Sequence, residues 1–381
     1  MWLGDMGFDR SITLAGLRAV PLRAAGGVSP KMALGTMPMR PALLLRLEDT
    51  SGCYGWGEVW ANFPPRANIH KAHILEDVIA PQLKNLTYVD PREVIDTLRA
   101  KLSVYFLHIG QQNVFEHILA GLDIALWDLA LRSAGLSFVE FTKLAANKAN
   151  TYATSLNATD LERLIPKHAK MGQKFFKLKI GFEEHGTTHI VKTATDLCPT
   201  GARIMVDSNQ SWTLDEATTS LQDLEVYEPL FAEEPLRADA ALDEWDRLVR
   251  ATRVPLAAGE NIYGEDNFMS MANIGVQYLQ PDVAKWGGIS GILNLAKRLP
   301  KDVVIWPHFM GTAIGQFASL SLSAALGHSS YCEVDVNANS LRTDLCGDIL
   351  TIQNGAASLP DAPGLVPQPL EHSLQSFTEK F

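Results

Sequence analysis

Cysteine is scarce in this chain: four in 381 residues, Cys53, Cys198, Cys332 and Cys346, with no C-x-x-C pair and no zinc-like spacing. No disulfide framework or thiolate metal centre can be read from them, and free thiols in a reducing compartment are expected. Positive charge is short as well. Lys and Arg number 33 against 43 Asp and Glu, a net charge of −10 at pH 7. That argues against nucleic acid or an anionic membrane as partner, since both need a basic face. Long apolar runs are missing: no stretch approaches the roughly 20 residues that span a bilayer. Asp5 and Asp9 interrupt the start where a signal peptide would be apolar, so a cytoplasmic protein is expected. Short-period repeats and low-complexity tracts are absent too. A hydrophobic fraction of 46% and a charged fraction of 20% are those of a globular chain, and its length favours two domains.

What is present changes character along the chain. The first third reads as α+β: Ala42–Leu47 as a strand, Thr50-Ser51-Gly52 as a turn and Gly55–Trp60 as the hairpin partner. Helical patterning follows from about His73 to Leu83 and from Asp90 to Leu102. Gln111–Leu131 carries apolar side chains at helical spacing on more than one face, which predicts a mostly buried helix. From Thr151, short apolar runs alternate with helical stretches: Thr151–Leu156, Phe175–Ile180, Arg203–Val206, Leu230–Ala232, Val254–Ala258, Gln277–Gln280, Val303–Trp306 and Ser330–Val334. Eight strands with room for a helix between them predict a (β/α)8-type barrel, although periodicity alone also allows a doubly wound sheet. The expected division is 1–148 for the α+β part and 149–338 for the barrel. Residues 339–381 form a tail that turns back at Leu359–Gly364 onto the first domain.

The ends of the strands favour the barrel. In order they carry Lys177-x-Lys179, Asp207-x-Asn209, Glu233-Glu234-Pro235, Gly259-Glu260-Asn261, Gln280-Pro281-Asp282, Trp306-Pro307-His308 and Glu333. After the lysines, ionisable groups recur every 22 to 28 residues, about one βα unit of a 250-residue barrel. Taken singly, each has a plain structural explanation. Asp-x-Asn caps helices, Lys-x-Lys marks a solvated strand face, and a lone histidine is more often structural. Independent turn residues have no reason to keep one spacing and one height, and in a barrel all of these would converge on the C-terminal face.

The residue types suit one chemistry. Asp207, Glu233 and Glu260 offer three hard oxygen ligands, leaving about three positions of a magnesium octahedron for water and a chelating substrate. A divalent ion on carboxylate oxygens stabilises the charge created when an α-proton leaves. Lys177 and Lys179 lie on one side of a strand, and mutual repulsion would lower their pKa toward a base poised near neutrality. Asp282 can fix one ring nitrogen of His308 and leave the other free as acid or base.

With these motifs assembled, the sequence resembles the enolase superfamily, and within it the mandelate racemase subgroup. The matching stretches are FFKLKIG (175–181), RIMVDSNQSW (203–212), FAEEP (231–235), AAGENIYG (257–264), QPDVAKWGG (280–288), PHFMGTAIG (307–315) and LPDAPGL (359–365). GLDIALWDLA (121–130) resembles the family's capping-domain helix. The resemblance covers nearly the whole chain. It implies a modified (β/α)7β barrel under an α+β capping domain, a homo-oligomer, and bound Mg²⁺ on Asp207, Glu233 and Glu260. It further implies Lys179 as the base on one face with Lys177 beside the substrate carboxylate, the Asp282–His308 dyad on the other face, and Glu333 as a donor to the enediolate.

Asn209 and Thr154 enter as further substrate contacts. Asp282 stands where the lysine-base subgroups carry lysine, which argues against muconate lactonisation and dipeptide epimerisation. PHFMGT departs from the histidine context of mandelate racemase itself.

Two opposed bases serve several outcomes. Dehydration of a sugar acid ranks first; racemisation or epimerisation of a 2-hydroxy acid and lactone cycloisomerisation are the alternatives, with a non-catalytic metal-binding barrel behind them. The capping loops around Lys31–Met39 and Trp60–Asn68 are expected to select the distal end of the substrate. Asn62, Arg66 and Asn68 favour a polyol, while Trp60 and Phe63 pull toward an aryl group.

Overall fold

The computed structural model describes residues 8–25, 39–181 and 186–380. Of the two capping loops singled out from the sequence, residues 31–38 therefore lie outside the described residues. The first domain is built on a four-stranded antiparallel sheet in the order β3-β2-β1-β4, with β1 Ile12–Ala25, β2 Met39–Asp49, β3 Tyr54–Val59 and β4 Thr87–Tyr88. β1 is not evident from the sequence. Pro21 and the small residues around it break its two-residue alternation, and pairing along the length of β2 supplies what local pattern does not. The β2–β3 hairpin turns as expected, with Asp49 Oδ1 accepting from Ser51 N at 2.8 Å and Cys53 N at 2.9 Å.

The helix Gln112–Ala134 lies on β3. Gly57 permits the contact, because a Cβ there would fall 2.1 Å from Gly121 O. The other face of this helix meets the second domain, where Trp127 Nε1 donates to Ser290 Oγ at 2.8 Å. Nearly every residue from Phe115 to Leu131 is buried, which is why its apolar positions occupy more than one face.

Eight parallel strands follow: β5 Lys148–Leu156, β6 Phe175–Lys179, β7 Arg203–Asp207, β8 Ala232–Glu233, β9 Leu256–Ala258, β10 Tyr278–Leu279, β11 Val304–Ile305 and β12 Cys332–Asp335. They pair in sequence order from β5 to β11, and β12 pairs with β5, so the first strand sits between the second and the eighth. Across the remaining seam, Ser330 Oγ donates to Ile305 O at 2.7 Å and Trp306 Nε1 to Ser329 O at 2.8 Å. The β13 Ile352–Gln353 and β14 Ala356–Ser358 hairpin adds antiparallel to β5. The tail then returns to the first sheet, where Glu379 N donates to Pro21 O at 2.9 Å.

Side chains inside the barrel stack in layers supplied by alternate strands, as two-residue alternation requires. The floor is apolar: Tyr152, Met205, Ala257 and Trp306, with Phe231, form a separate buried cluster. Immediately above, the even strands and their ends contribute Lys177, Glu233, Gln280 and Glu333, each about 1% exposed. A hydrophobic plug thus carries a buried polar layer; two residues beyond Lys177 and Gln280 lie Lys179 and Asp282, and two residues beyond the floor residues Met205 and Trp306 lie Asp207 and His308. Among the described residues, no helix is long and apolar enough to cross a membrane.

Candidate active site

The polar layer is a closed network. Lys177 Nζ lies 2.5 Å from Glu233 Oε2 and 2.9 Å from Glu333 Oε1, with Asp207 Oδ2 further off at 3.9 Å. Gln280 Nε2 donates to Glu233 Oε2 at 2.5 Å. Above it, Lys179 Nζ donates to Asp207 Oδ2 at 2.5 Å and to Asn209 Oδ1 at 2.8 Å. On the far side, His308 Nδ1 meets Asp282 Oδ2 at 2.8 Å, while its Nε2 lies 2.7 Å from Glu260 Oε2 and 3.6 Å from Glu333 Oε2. Asp282 is oriented in turn by Ala284 N on its other oxygen at 2.8 Å.

Local backbone geometry makes this packing possible. Gly259 needs its lack of a side chain, because a Cβ would sit 2.4 Å from the Gln280 backbone. Strands β9 and β10 approach closely there, and Glu260 is set at the rim.

The electrostatics correct one expectation. Burial opposes the charge of both lysines, but the carboxylates outweigh it. Glu233 and Glu333 hold the Lys177 pKa well above its ordinary value, and Asp207 holds Lys179 above its own. Mutual repulsion of the two lysines does not set their state in this arrangement. His308 behaves alike: burial works against the imidazolium, and Glu260, Glu333 and Asp282 raise it well above the usual histidine range. Burial raises the Glu233 carboxyl to about 8, with Asp207 and Glu333 adding to the rise against Lys177. Burial, then Glu260 and Asp207, push Glu234 well above its ordinary value.

Asp207, Glu233 and Glu260 come from consecutive strand ends, yet each is turned to a cation of the chain. Among the described residues, no three His, Cys, Asp or Glu side chains converge tightly enough to hold a metal ion as placed. The donor set nevertheless fits a divalent ion. It is all hard oxygen, buried at Asp207 and Glu233 and partly so at Glu260, and crowded with like charge that a cation would relieve.

A cavity of about 610 Å³ opens above these groups, and Lys179, Asn209, Glu260 and His308 line it. Its roof comes from the capping loop, through Trp60, Asn62 and Phe63. The structure does not bring Arg66 to it. That residue is exposed, at the start of the helix Ala67–Ile74, because the loop turns outward at Pro64–Pro65. Asn68 is spent on Leu22 O and Glu379 Oε2, both at 3.0 Å. Thr154 is fully buried on β5 and does not reach the cavity.

Conversely, Gln280, Asn261, Tyr263 and Lys285 belong to the site although the sequence patterns that contain them gave them no role. Gln280 and Lys285 lie two and three residues from Asp282, a proximity that could have flagged them. A second cavity, about 310 Å³ between the domains and lined by Arg99, Glu116, Asp123 and Trp286 among others, contains none of the lysine–carboxylate set.

Comparison with known proteins agrees with this architecture. Residues 21–142 match the mandelate racemase / muconate lactonizing enzyme N-terminal domain, and 160–371 match the enolase C-terminal domain-like family. An arabinonate dehydratase of Saccharolobus solfataricus is 29% identical over 330 residues, 84% of this chain and 86% of that protein. A D-galactarolactone cycloisomerase of Agrobacterium fabrum is 27% identical over 347 residues, 86% and 88% respectively. The crystal structure of a mandelate racemase/muconate lactonizing enzyme from Bordetella bronchiseptica superposes with a TM-score of 0.87 at 35% identity, covering 96% of this chain and 99% of that one. The barrel with its capping domain, the strand-end residues and these matches agree: the chain belongs to the enolase superfamily, in the mandelate racemase / muconate lactonizing enzyme branch.

Proposed function

We propose that this chain is a magnesium-dependent acid-sugar dehydratase. The observation that carries the reading is that Lys179, from the second barrel strand, and His308, from the end of the seventh, line one cavity with the carboxylates set between them. A magnesium ion held by Asp207, Glu233 and Glu260 would, when bound, stabilise the extra negative charge of the enediolate. Lys177, fixed between Glu233 and Glu333 beneath that cavity, would hold the substrate carboxylate. With Asp207 engaged by the metal instead of holding the ammonium, Lys179 Nζ as the free amine would take the α-proton as general base, positioned by Asn209 Oδ1.

His308, held through Nδ1 by Asp282, delivers a proton from Nε2 to the departing β-hydroxyl. Water leaves, and the enol product tautomerises to a 2-keto-3-deoxy acid. The sugar-acid enzymes among the relatives support the same substrate class.

A library of aldonic and aldaric acids, assayed for keto acid with semicarbazide and for solvent deuterium in the product, tests it. Keto acid release is the expected result. Deuterium exchange at the α-carbon of a simple 2-hydroxy acid, with no keto acid from any sugar acid, would make the enzyme a racemase instead.

A further inference from the structure

Four lysines are buried among the described residues: Lys71, Lys177, Lys179 and Lys285. Two of them, Lys177 and Lys179, are ion-paired to the carboxylates above. The other two have no ion-pair partner among the described residues, although buried ammonium groups are almost always paired. They stand against one aromatic ring. Lys285 Nζ lies 4.7 Å from the centroid of Trp60, and Lys71 Nζ lies 4.9 Å from it. Lys285 follows the sixth barrel strand, four strands round from Lys179, and lines the same cavity. Its Nζ donates to Asn261 Oδ1 at 2.8 Å, and an ammonium has three N–H groups to place.

Lys71 comes from the capping domain. It donates to Trp60 O at 2.5 Å and meets His117 Nδ1 at 2.8 Å, and His117 Nε2 meets the Tyr263 hydroxyl at 2.8 Å. Burial, with the added repulsion of Lys285, pushes the Lys71 ammonium down to about 7. The two domains thus bring positive charge together at the end of the cavity remote from Lys179, and cation–π contact with Trp60 offsets only about 1–2 kcal/mol of that.

We propose that Lys285, with Lys71 behind Trp60, binds a second anionic group on the substrate, so that the enzyme selects an aldarate, with a carboxylate at each end, over an aldonate. This rests on the dehydratase reading and narrows it. Lys285 also lowers the Glu260 carboxyl through space, but it makes no direct ion pair with the metal-site carboxylates, because Asn261 stands between them. Its Nδ2 faces Glu234 and Glu260 at 2.9 to 3.1 Å, while its Oδ1 receives Lys285.

The test compares the wild type, Lys285→Met and Lys285→Arg on six-carbon aldarates and on the matching aldonates, with magnesium present. Binding of each acid is also measured by calorimetry. The wild type should favour aldarates. Lys285→Met should lower the aldarate-to-aldonate ratio of kcat/KM by about 30-fold or more, mainly through KM, and Lys285→Arg should recover most of it. Calorimetry should show the same loss of aldarate affinity. Preference for aldonates in the wild type, or an equal loss on both classes in Lys285→Met, would overturn the proposal and leave the dehydratase reading standing. If neither class releases keto acid, the dehydratase reading fails, and calorimetry alone then decides whether Lys285 discriminates a second carboxylate.

Discussion

Two sets of buried carboxylates hold different jobs in this molecule, and the partners each set keeps show why. At the joint between the domains, Glu58 accepts from Thr312 N at 2.9 Å, Thr312 Oγ1 at 2.6 Å and Gly315 N at 2.8 Å, at the start of the helix Ala313–Leu326. Asp123 accepts from Ser290 N at 2.9 Å near the start of the helix Gly288–Arg298. Asp128 accepts from Trp56 N at 2.9 Å and Leu365 N at 2.8 Å. These partners are mainly backbone N–H groups, two of the three at helix N-termini where the dipole favours an anion.

At the barrel mouth the partners of Asp207, Glu233, Glu260 and Glu333 are mainly side chains, chiefly lysine and histidine, that can be exchanged for an ion or a substrate. Burial alone does not mark a functional carboxylate. What marks it is a partner that can leave.

That contrast can be broken by mutation. The largest effect is expected at the mouth: Lys179→Met or His308→Asn should lower kcat by about a thousandfold or more. Thermal melts should stay within a few degrees of wild type, and a turnover loss tracking unfolding would erase the distinction. Next comes truncation at the joint. Glu58→Ala leaves three buried donors without an acceptor, and a loss of about 2–4 kcal/mol in chemical denaturation is expected.

Magnesium sharpens the comparison from the other side. Added at about a hundred times its Kd, it should stabilise the wild type by about 2.7 kcal/mol. Glu233→Gln should remove that increment, whereas Asp128→Asn should keep it. An ion-induced shift surviving in Glu233→Gln would count against the ligand assignment.

The smallest effect is in pH dependence at the joint. Burial raises the Asp123 carboxyl to about 7. With the folded value above the unfolded one, its stabilisation is complete below about 4 and fades as pH rises through about 7. The stability deficit of Asp123→Asn against wild type should therefore shrink between about pH 5 and pH 8, on the order of 1 kcal/mol. A constant deficit would show the carboxylate staying ionised, held by the helix terminus.

Much of the barrel is legible in the residues themselves. Its strands show as short apolar runs because both faces are covered, and the matched spacing of Asp207, Glu233, Glu260, Asp282 and His308 brings them all to the C-terminal ends of their strands. β1 is not legible, since its order comes from a partner strand separated in sequence. Arg66 and Asn68 read as polar lining, but the direction in which a loop turns its side chains depends on what packs beneath it.

The sequence by itself determined which groups recur at the strand ends, because one βα unit has a fixed length and alternation has a fixed period. Only the tertiary structure decided their partners and charge states. Lys177 and Lys179 are adjacent in pattern, yet carboxylates from other strands set their protonation. Lys71 and Lys285, far apart in the chain, meet at Trp60 only because the capping domain closes over the barrel. Coulomb energy depends on distance in space and on burial, and neither is written in the local sequence.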